Sequence, residues 1–193
     1  MSGSRIALFG GAFDPIHNAH LAVARTAAEH SNLNRVLFVP AHHPPHKGGA
    51  TYAPYEDRVR MLELACAGDA RFEVSRLEEG TERSYSIDTI ERVRAALSPG
   101  DELFFIIGAD AFAEIQTWRR WQEVAQAVHF LVASRPGYLY DVPAGAKVER
   151  LDSLDLTASS SEVRAGLANG RRADGVPQSV LQYIYQRGLY SVT

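Results

Sequence analysis

The sequence contains one cysteine, Cys66, in 193 residues, so an internal disulfide is excluded. It has no apolar run long enough to cross a bilayer. Its opening Met1-Ser2-Gly3-Ser4-Arg5 leads into a short apolar segment without the hydrophobic region of a secretion signal, so a cytoplasmic protein with no membrane partner is expected. Charge is nearly balanced, with 20 Lys and Arg against 23 Asp and Glu, net -3. That leaves no broad basic surface for the phosphates of a nucleic acid, and no nucleic-acid partner is expected. Two phosphate-binding signatures are also missing, the Walker loop ending in Gly-Lys-Ser/Thr and the G-x-G-x-x-G turn. Five of the seven histidines (His17, His20, His42, His43 and His46) fall in two early segments, but there is no Cys pair and no H-E-x-x-H, so zinc is disfavoured and no metal ligand set is assigned.

The length fits a single domain over residues 1–193 with one substantial core. Short β-type runs at 5–9, 35–39, 72–75, 102–107 and 128–133, with a further strand near 147–151, alternate with helical stretches. Helices are predicted over 19–30, 54–67, 86–97, 159–169 and 177–187. In two of them, Tyr55, Val59, Leu62 and Cys66, and then Ile87, Ile90, Val93 and Leu97, fall on one face and read as core stripes. Such alternation predicts an α/β, Rossmann-like, doubly wound and mainly parallel sheet with helices on both faces and a helical C-terminal end. Ligands bind such sheets beyond the carboxyl ends of the strands. The strand ends here run into Gly10-Gly11, Pro40 to Lys47, Gly108-Ala109-Asp110 and Ser134 to Gly137, so a site built from several loops is expected.

The most informative segment is Gly10-Gly11-Ala12-Phe13-Asp14-Pro15-Ile16-His17-Asn18-Ala19-His20. It reads as strand, glycine turn and helix, with Asp14 as a cap, Pro15 in the first helical turn, and His17 and His20 three apart on one face. The free N–H groups and macrodipole of a helix start favour phosphate, so the segment points to a nucleotide site. Three other constellations suit the same chemistry. Pro44-Pro45-His46-Lys47 presents an ammonium group on a stiff loop. Ser159-Ser160-Ser161-Glu162-Val163-Arg164 opens a helix with hydroxyls and a guanidinium, although an ordinary Ser cap explains it equally well. Trp118 could stack on a flat ring, although Trp118 and Trp121 at helical spacing also suit plain packing.

Taken together in order and spacing, these segments resemble the bacterial nicotinate-nucleotide adenylyltransferases, in the superfamily marked by H-x-G-H. His17-Asn18-Ala19-His20 matches that signature with Ala19 in place of Gly, and Pro44-Pro45-His46-Lys47 and Ser84-Tyr85-Ser86-Ile87-Asp88-Thr89 match two further family segments. Gly108, Asp110 and Trp118, then Arg135-Pro136-Gly137, then Ser159 to Arg164, and the stretch from Val176-Pro177 to Leu189-Tyr190 match the rest.

The resemblance implies transfer of the adenylyl group of ATP to nicotinate mononucleotide, giving deamido-NAD and pyrophosphate, with Mg²⁺ carried mainly by the ATP phosphates. It implies catalytic roles for His17, His20, Lys47 and Arg164. On the ATP side it adds Gly10, Gly11, Phe13, Gly108, Asp110, Ser159, Ser160 and Ser161. Around the mononucleotide it implies Ala12, Phe13, His46, Lys47, Ser84, Tyr85, Ser86, Asp110, Trp118 and Arg135. The alternatives are an enzyme for nicotinamide mononucleotide or for both mononucleotides, a phosphopantetheine or glycerol-phosphate nucleotidyltransferase, and a nonenzymatic nucleotide- or metal-binding module. A homo-oligomer is compatible with all of them.

Overall fold

The protein, seen in a computed structural model, is described over residues 3–43, 51–134, 137–151, 158–171 and 173–191. Six strands, β1 (Arg5–Gly11), β2 (Arg35–Pro40), β3 (Phe72–Val74), β4 (Glu102–Gly108), β5 (His129–Ala133) and β6 (Lys147–Leu151), form one sheet in the order β3-β2-β1-β4-β5-β6. Every pairing is parallel, as the alternating sequence pattern predicts.

Successive side chains of each strand go to opposite faces. Ala7, Phe9, Val36, Phe38, Phe104, Ile106 and Leu131 enter one core, while Ile6, Leu8, Leu37, Val39, Phe105, Ile107 and Phe130 enter the other. Because both faces are covered, the central strands are continuous apolar runs. The first core is closed by α1 (Asn18–His30), α2 (Tyr55–Cys66), α6 (Ser160–Ala168) and α7 (Gln178–Arg187). The second is closed by α3 (Ser86–Ala95), α4 (Ala109–Ala113) and α5 (Trp121–Ala127). The expected stripes are the buried ones: Val59, Leu62 and Cys66 on α2, and Ile87, Ile90 and Val93 on α3. Between β4 and β5, where the sequence pattern predicts no element, the chain makes α4, a 3₁₀ turn (Ile115–Thr117) and α5. Trp118 and Trp121 therefore do not share one helix. Both pack partly buried against the second core.

The segment after β1 departs from the expected strand, glycine turn and helix. Gly10 and Gly11 still belong to β1, paired with Val39 and Pro40 of β2. The left-handed residue of the turn is Phe13, at φ 47°. Gly11 eases the packing there, since a Cβ would stand 3.1 Å from the Phe13 ring and the ring would have to shift by a few tenths of an ångström. Asp14 precedes a cis Pro15 and does not cap α1; the N-cap is His17, so Pro15 lies outside the helix. The carboxylate of Asp14 instead accepts from Tyr52 N (2.7 Å), Ala53 N (3.1 Å) and the Tyr190 hydroxyl (2.7 Å), because three donors in a buried place outbid a helix end.

Beneath these loops lies Arg58 of α2, fully buried. Its Nη1 donates to Ala12 O (2.7 Å) and Ala41 O (2.8 Å), and its Nε donates to Ala53 O (3.3 Å). One guanidinium thus ties the ends of β1 and β2 to the start of α2. Substituting Arg58→Met strands three carbonyl oxygens without donors and is expected to cost about 3–5 kcal/mol of unfolding free energy. Urea denaturation would measure it, and a loss below about 1 kcal/mol would mean that water replaces the guanidinium.

Candidate nucleotide site

Two adjoining clefts open at the carboxyl ends of β1 and β4, and both are lined by Phe9, Gly10 and Gly108. In this strand order β1 and β4 flank the point where the winding of the sheet reverses, so the clefts lie where a doubly wound sheet takes its ligand. Gly10 and Gly108 leave that floor without side chains.

The smaller cleft, about 280 Å³, is lined further by His17, Ala19, His20, Val23, Ala133 and Ala158. His17 and His20 stack with ring centroids 3.7 Å apart. The His17 backbone N–H donates to Nδ1 of His20 at 3.3 Å, which leaves the His20 proton on Nε2. The Phe13 ring meets His20 edge-on at 5.1 Å. Phe13 itself is buried and backs the site without lining either described cleft. His17 Nδ1 is buried and lacks a hydrogen-bond partner among the described residues. Burial lowers the His17 pKa to about 4, partly opposed by Glu162, so at neutral pH the ring is an uncharged donor and acceptor.

The start of α6 closes on this turn. Ser160 Oγ donates to Pro15 O (3.0 Å), and Arg164 donates to Asp14 O (2.6 Å) and Ser161 Oγ (3.2 Å). The Arg164 guanidinium also lies 4.1 Å over the exposed Tyr52 ring. Ser159 forms a reciprocal cap with Glu162, each satisfying the other's backbone N–H, so the ordinary capping role holds for that residue.

The larger cleft, about 380 Å³, is lined by Gly11, Ala12, Ala41, Glu78, Ser84, Tyr85, Ser86, Phe105, Ile106, Ile107, Ala111, Thr117, Trp118 and Arg119. Ser84 is pinned from several sides. Its Oγ accepts from His42 N (3.0 Å) and His43 N (3.4 Å), and its own N–H donates to His43 O (3.3 Å). Ser86 then begins α3, so the start of that helix faces the cleft. Trp118 stands edge-on to Phe105 at 6.0 Å, and Arg119 lies 4.8 Å over the Tyr85 ring.

Of the residues expected from sequence, Gly10, Gly11, Ala12, His17, His20, Ser84, Tyr85, Ser86, Gly108 and Trp118 line these clefts. Ser160, Ser161 and Arg164 adjoin the His17 turn. Asp110 is exposed in the first turn of α4, accepts a hydrogen bond from Tyr138, and lines neither cleft. His46, Lys47 and Arg135 lie outside the described residues. Sequence reasoning missed Glu78, Arg119 and Arg58. For Glu78 and Arg58, a charged residue in a polar loop or on a helix gives no local signal of burial, although Arg58 sits one residue from the apolar stripe of α2; Arg119 is exposed and reads as an ordinary surface residue.

The low His17 pKa has a consequence for stability. Between pH 6.5 and 4 the unfolded chain takes up a proton at this residue that the folded chain refuses, so stability falls as pH falls through that window. At 1.36 kcal/mol per pKa unit the loss is about 3 kcal/mol. Urea denaturation at pH 7 and pH 4.5 should show this component in the wild type and not in His17→Asn. Equal pH dependence in the two proteins would assign it to another group.

Residues 8–166 match the cytidylyltransferase-like family. A protein of Solibacter usitatus, named probable nicotinate-nucleotide adenylyltransferase, is 64% identical over 187 residues, covering 97% of this chain and 100% of its own. One of Thermus thermophilus with the same name is 45% identical over 188 residues, covering 96% and 99%. In fold the chain is similar to the Plasmodium falciparum nicotinic acid mononucleotide adenylyltransferase solved in complex with NaAD, at TM-score 0.82 with 97% of each chain covered and 18% identity. With the parallel sheet, the paired clefts at its reversal point and these relatives in view, the chain belongs to the nicotinate-nucleotide adenylyltransferase family, within the cytidylyltransferase-like nucleotidyltransferases.

Proposed function

We propose that the protein joins ATP and nicotinate mononucleotide into deamido-NAD, releasing pyrophosphate, in the cytoplasmic synthesis of NAD. The observation that carries this reading is the pair of clefts meeting over Phe9, Gly10 and Gly108. One has an imidazole pair beside a helix start with a guanidinium, suited to a triphosphate. The other has aromatic walls beside the start of α3, suited to a ring with a carboxylate. Two substrates bound side by side there would present their phosphates to one another.

The mononucleotide phosphate, already anionic near neutral pH, attacks the α-phosphorus of ATP in line. A new P–O bond forms as the bond to the bridging oxygen breaks, and pyrophosphate leaves with the electron pair. No general base is required, so the work of the protein is positioning and neutralising charge. His17 and His20 donate to phosphate oxygens, Arg164 and Lys47 supply positive charge, and the amides opening α6 add their dipoles. In the second cleft Trp118 stacks on the pyridine ring, and N–H groups near Ser84–Ser86 read the nicotinate carboxylate.

Mg²⁺ prefers oxygen ligands, and here the triphosphate would supply them. Asp14, three residues before His17, has its carboxylate taken by Tyr52, Ala53 and Tyr190. The ion would therefore enter on the phosphates and draw charge from them.

Pyrophosphate release from ATP and Mg²⁺ with nicotinate mononucleotide, nicotinamide mononucleotide or phosphopantetheine tests the reading, and strong preference for the first is expected. His20→Ala should lower kcat by about 10²–10³ with little change in mononucleotide affinity, because its donor acts on charge that grows in the transition state. Near wild-type turnover in the folded variant would remove His20 from the chemistry. Trp118→Ala should weaken both pyridine mononucleotides alike and leave the acid-to-amide preference intact, since stacking does not sense the substituent. An unchanged KM would return the indole to a packing role.

A further inference from the structure

Glu78 is a buried carboxyl group for which the reaction as described has no use. It lies in the segment joining β3 to α3, is 7% exposed, and lines the larger cleft. The Thr89 hydroxyl donates to its Oε1 at 2.6 Å, and the Ser84 hydroxyl donates to the same carboxylate. Both donors are neutral. Burial pushes its pKa up, the bonds from Thr89 and Ser84 and the charge of Arg92 oppose that, and Asp88 adds to it, so a cation arriving in the cleft would favour the ionised form; none of the ion pairs formed among the described residues includes it. Two hydroxyl groups orient a carboxylate without cancelling its charge. Beside the apolar walls of Phe105, Ile106 and Trp118, its field reaches into the cleft with little screening. Arg119, on the same cleft, is exposed over Tyr85, where water screens it. A buried carboxylate among aromatic rings is chemistry that favours a flat organic cation.

Pyridine mononucleotides carry their ribose on the ring nitrogen, which makes the ring a pyridinium cation. We propose that Glu78 is a specificity-determining residue whose carboxylate is the counter-charge of that ring, so that the larger cleft selects a cationic ring over a neutral one of the same shape. The inference rests on the assignment of this cleft to the mononucleotide. It differs from recognition of the nicotinate carboxylate, because the acid and the amide share the ring charge.

The test is Glu78→Gln, which removes the charge and keeps an oxygen to accept from Thr89 and Ser84. KM would be measured for nicotinate and nicotinamide mononucleotides, and the inhibition constant for reduced nicotinamide mononucleotide, whose dihydropyridine ring is uncharged. The variant should raise both KM values about tenfold and change the inhibition constant less than twofold, as expected for loss of one poorly screened charge. Glu78→Asp, which keeps the charge, should retain the preference for the cationic ring, and it decides the matter if the Gln variant does not fold. Thr89→Val removes one of the hydroxyls that favour the ionised carboxyl, so it should act in the direction of Glu78→Gln and more weakly. Equal losses on all three in Glu78→Gln, no loss on any, or a gain on the acid alone would overturn the proposal. Failure of the wild type to release pyrophosphate with either mononucleotide would overturn the assigned activity first, and would be distinguishable because no variant is needed to see it.

Discussion

The site depends on one buried cation. A parallel sheet delivers its strand ends to a common edge, but each strand ends in a free loop, and loops held only by their termini do not keep sub-ångström geometry. Arg58 removes that freedom by donating to Ala12 O and Ala41 O at 2.7 and 2.8 Å, one from each of two adjacent strand ends. Taking a guanidinium out of water is costly, and burial pulls its pKa down, while the nearby Asp14 opposes that shift. Asp14 in turn collects Tyr52, Ala53 and Tyr190, so the C-terminal segment is tied to the same point. Three hydrogen bonds to backbone carbonyls turn a charge that would destabilise the interior into a clamp with a defined geometry.

That clamp explains how two clefts of different chemistry share one floor. On the α1 side the polar groups are stacked imidazoles, of which His17 is held neutral by burial. On the α3 side the walls are aromatic and aliphatic, with backbone N–H groups at a helix start. A triphosphate needs many weak donors and a compact positive field, whereas a heteroaromatic ring needs flat apolar area and a few directed contacts. Under the proposed assignment, dividing them across the tips of β1 and β4 would let each requirement be met by helices of a different layer, and only the reacting phosphates would need to meet over Gly10 and Gly108.

Much of this was legible in the sequence because it is periodic or local. The strands were found within one or two residues, since a run such as Leu103 to Ile107 admits few other readings, and the stripes on α2 and α3 follow from spacing alone. His17 and His20 announced themselves as polar residues opening an apolar helix. Long-range pairing was illegible. Nothing near Asp14 in sequence says that its carboxylate is wanted by Tyr190, 176 residues away, and so it reads as a cap. Gly10-Gly11 reads as a turn because glycine permits one, yet the turn falls on Phe13, whose ring occupies the space that Gly11 vacates. Glu78 was invisible for a related reason: it sits among Arg76, Glu79 and Glu82 in a stretch that looks like a solvated loop, and its burial comes from Thr89 and Ser84 on the far side of a turn.

Ala19 shows how such a departure from a motif can be weighed physically. It stands second in α1, in helical conformation, so the backbone makes no demand for glycine there. Its methyl group is almost buried and lines the smaller cleft with Phe9 and Val23. A glycine at this position therefore serves the volume of the cleft and not the path of the chain, and the alanine narrows the wall while raising the propensity of the first helical turn. The imidazole pair is set by the N–H of His17 and by stacking, neither of which involves the Ala19 side chain. The substitution accordingly acts on what fits between the walls and leaves the donors where they are.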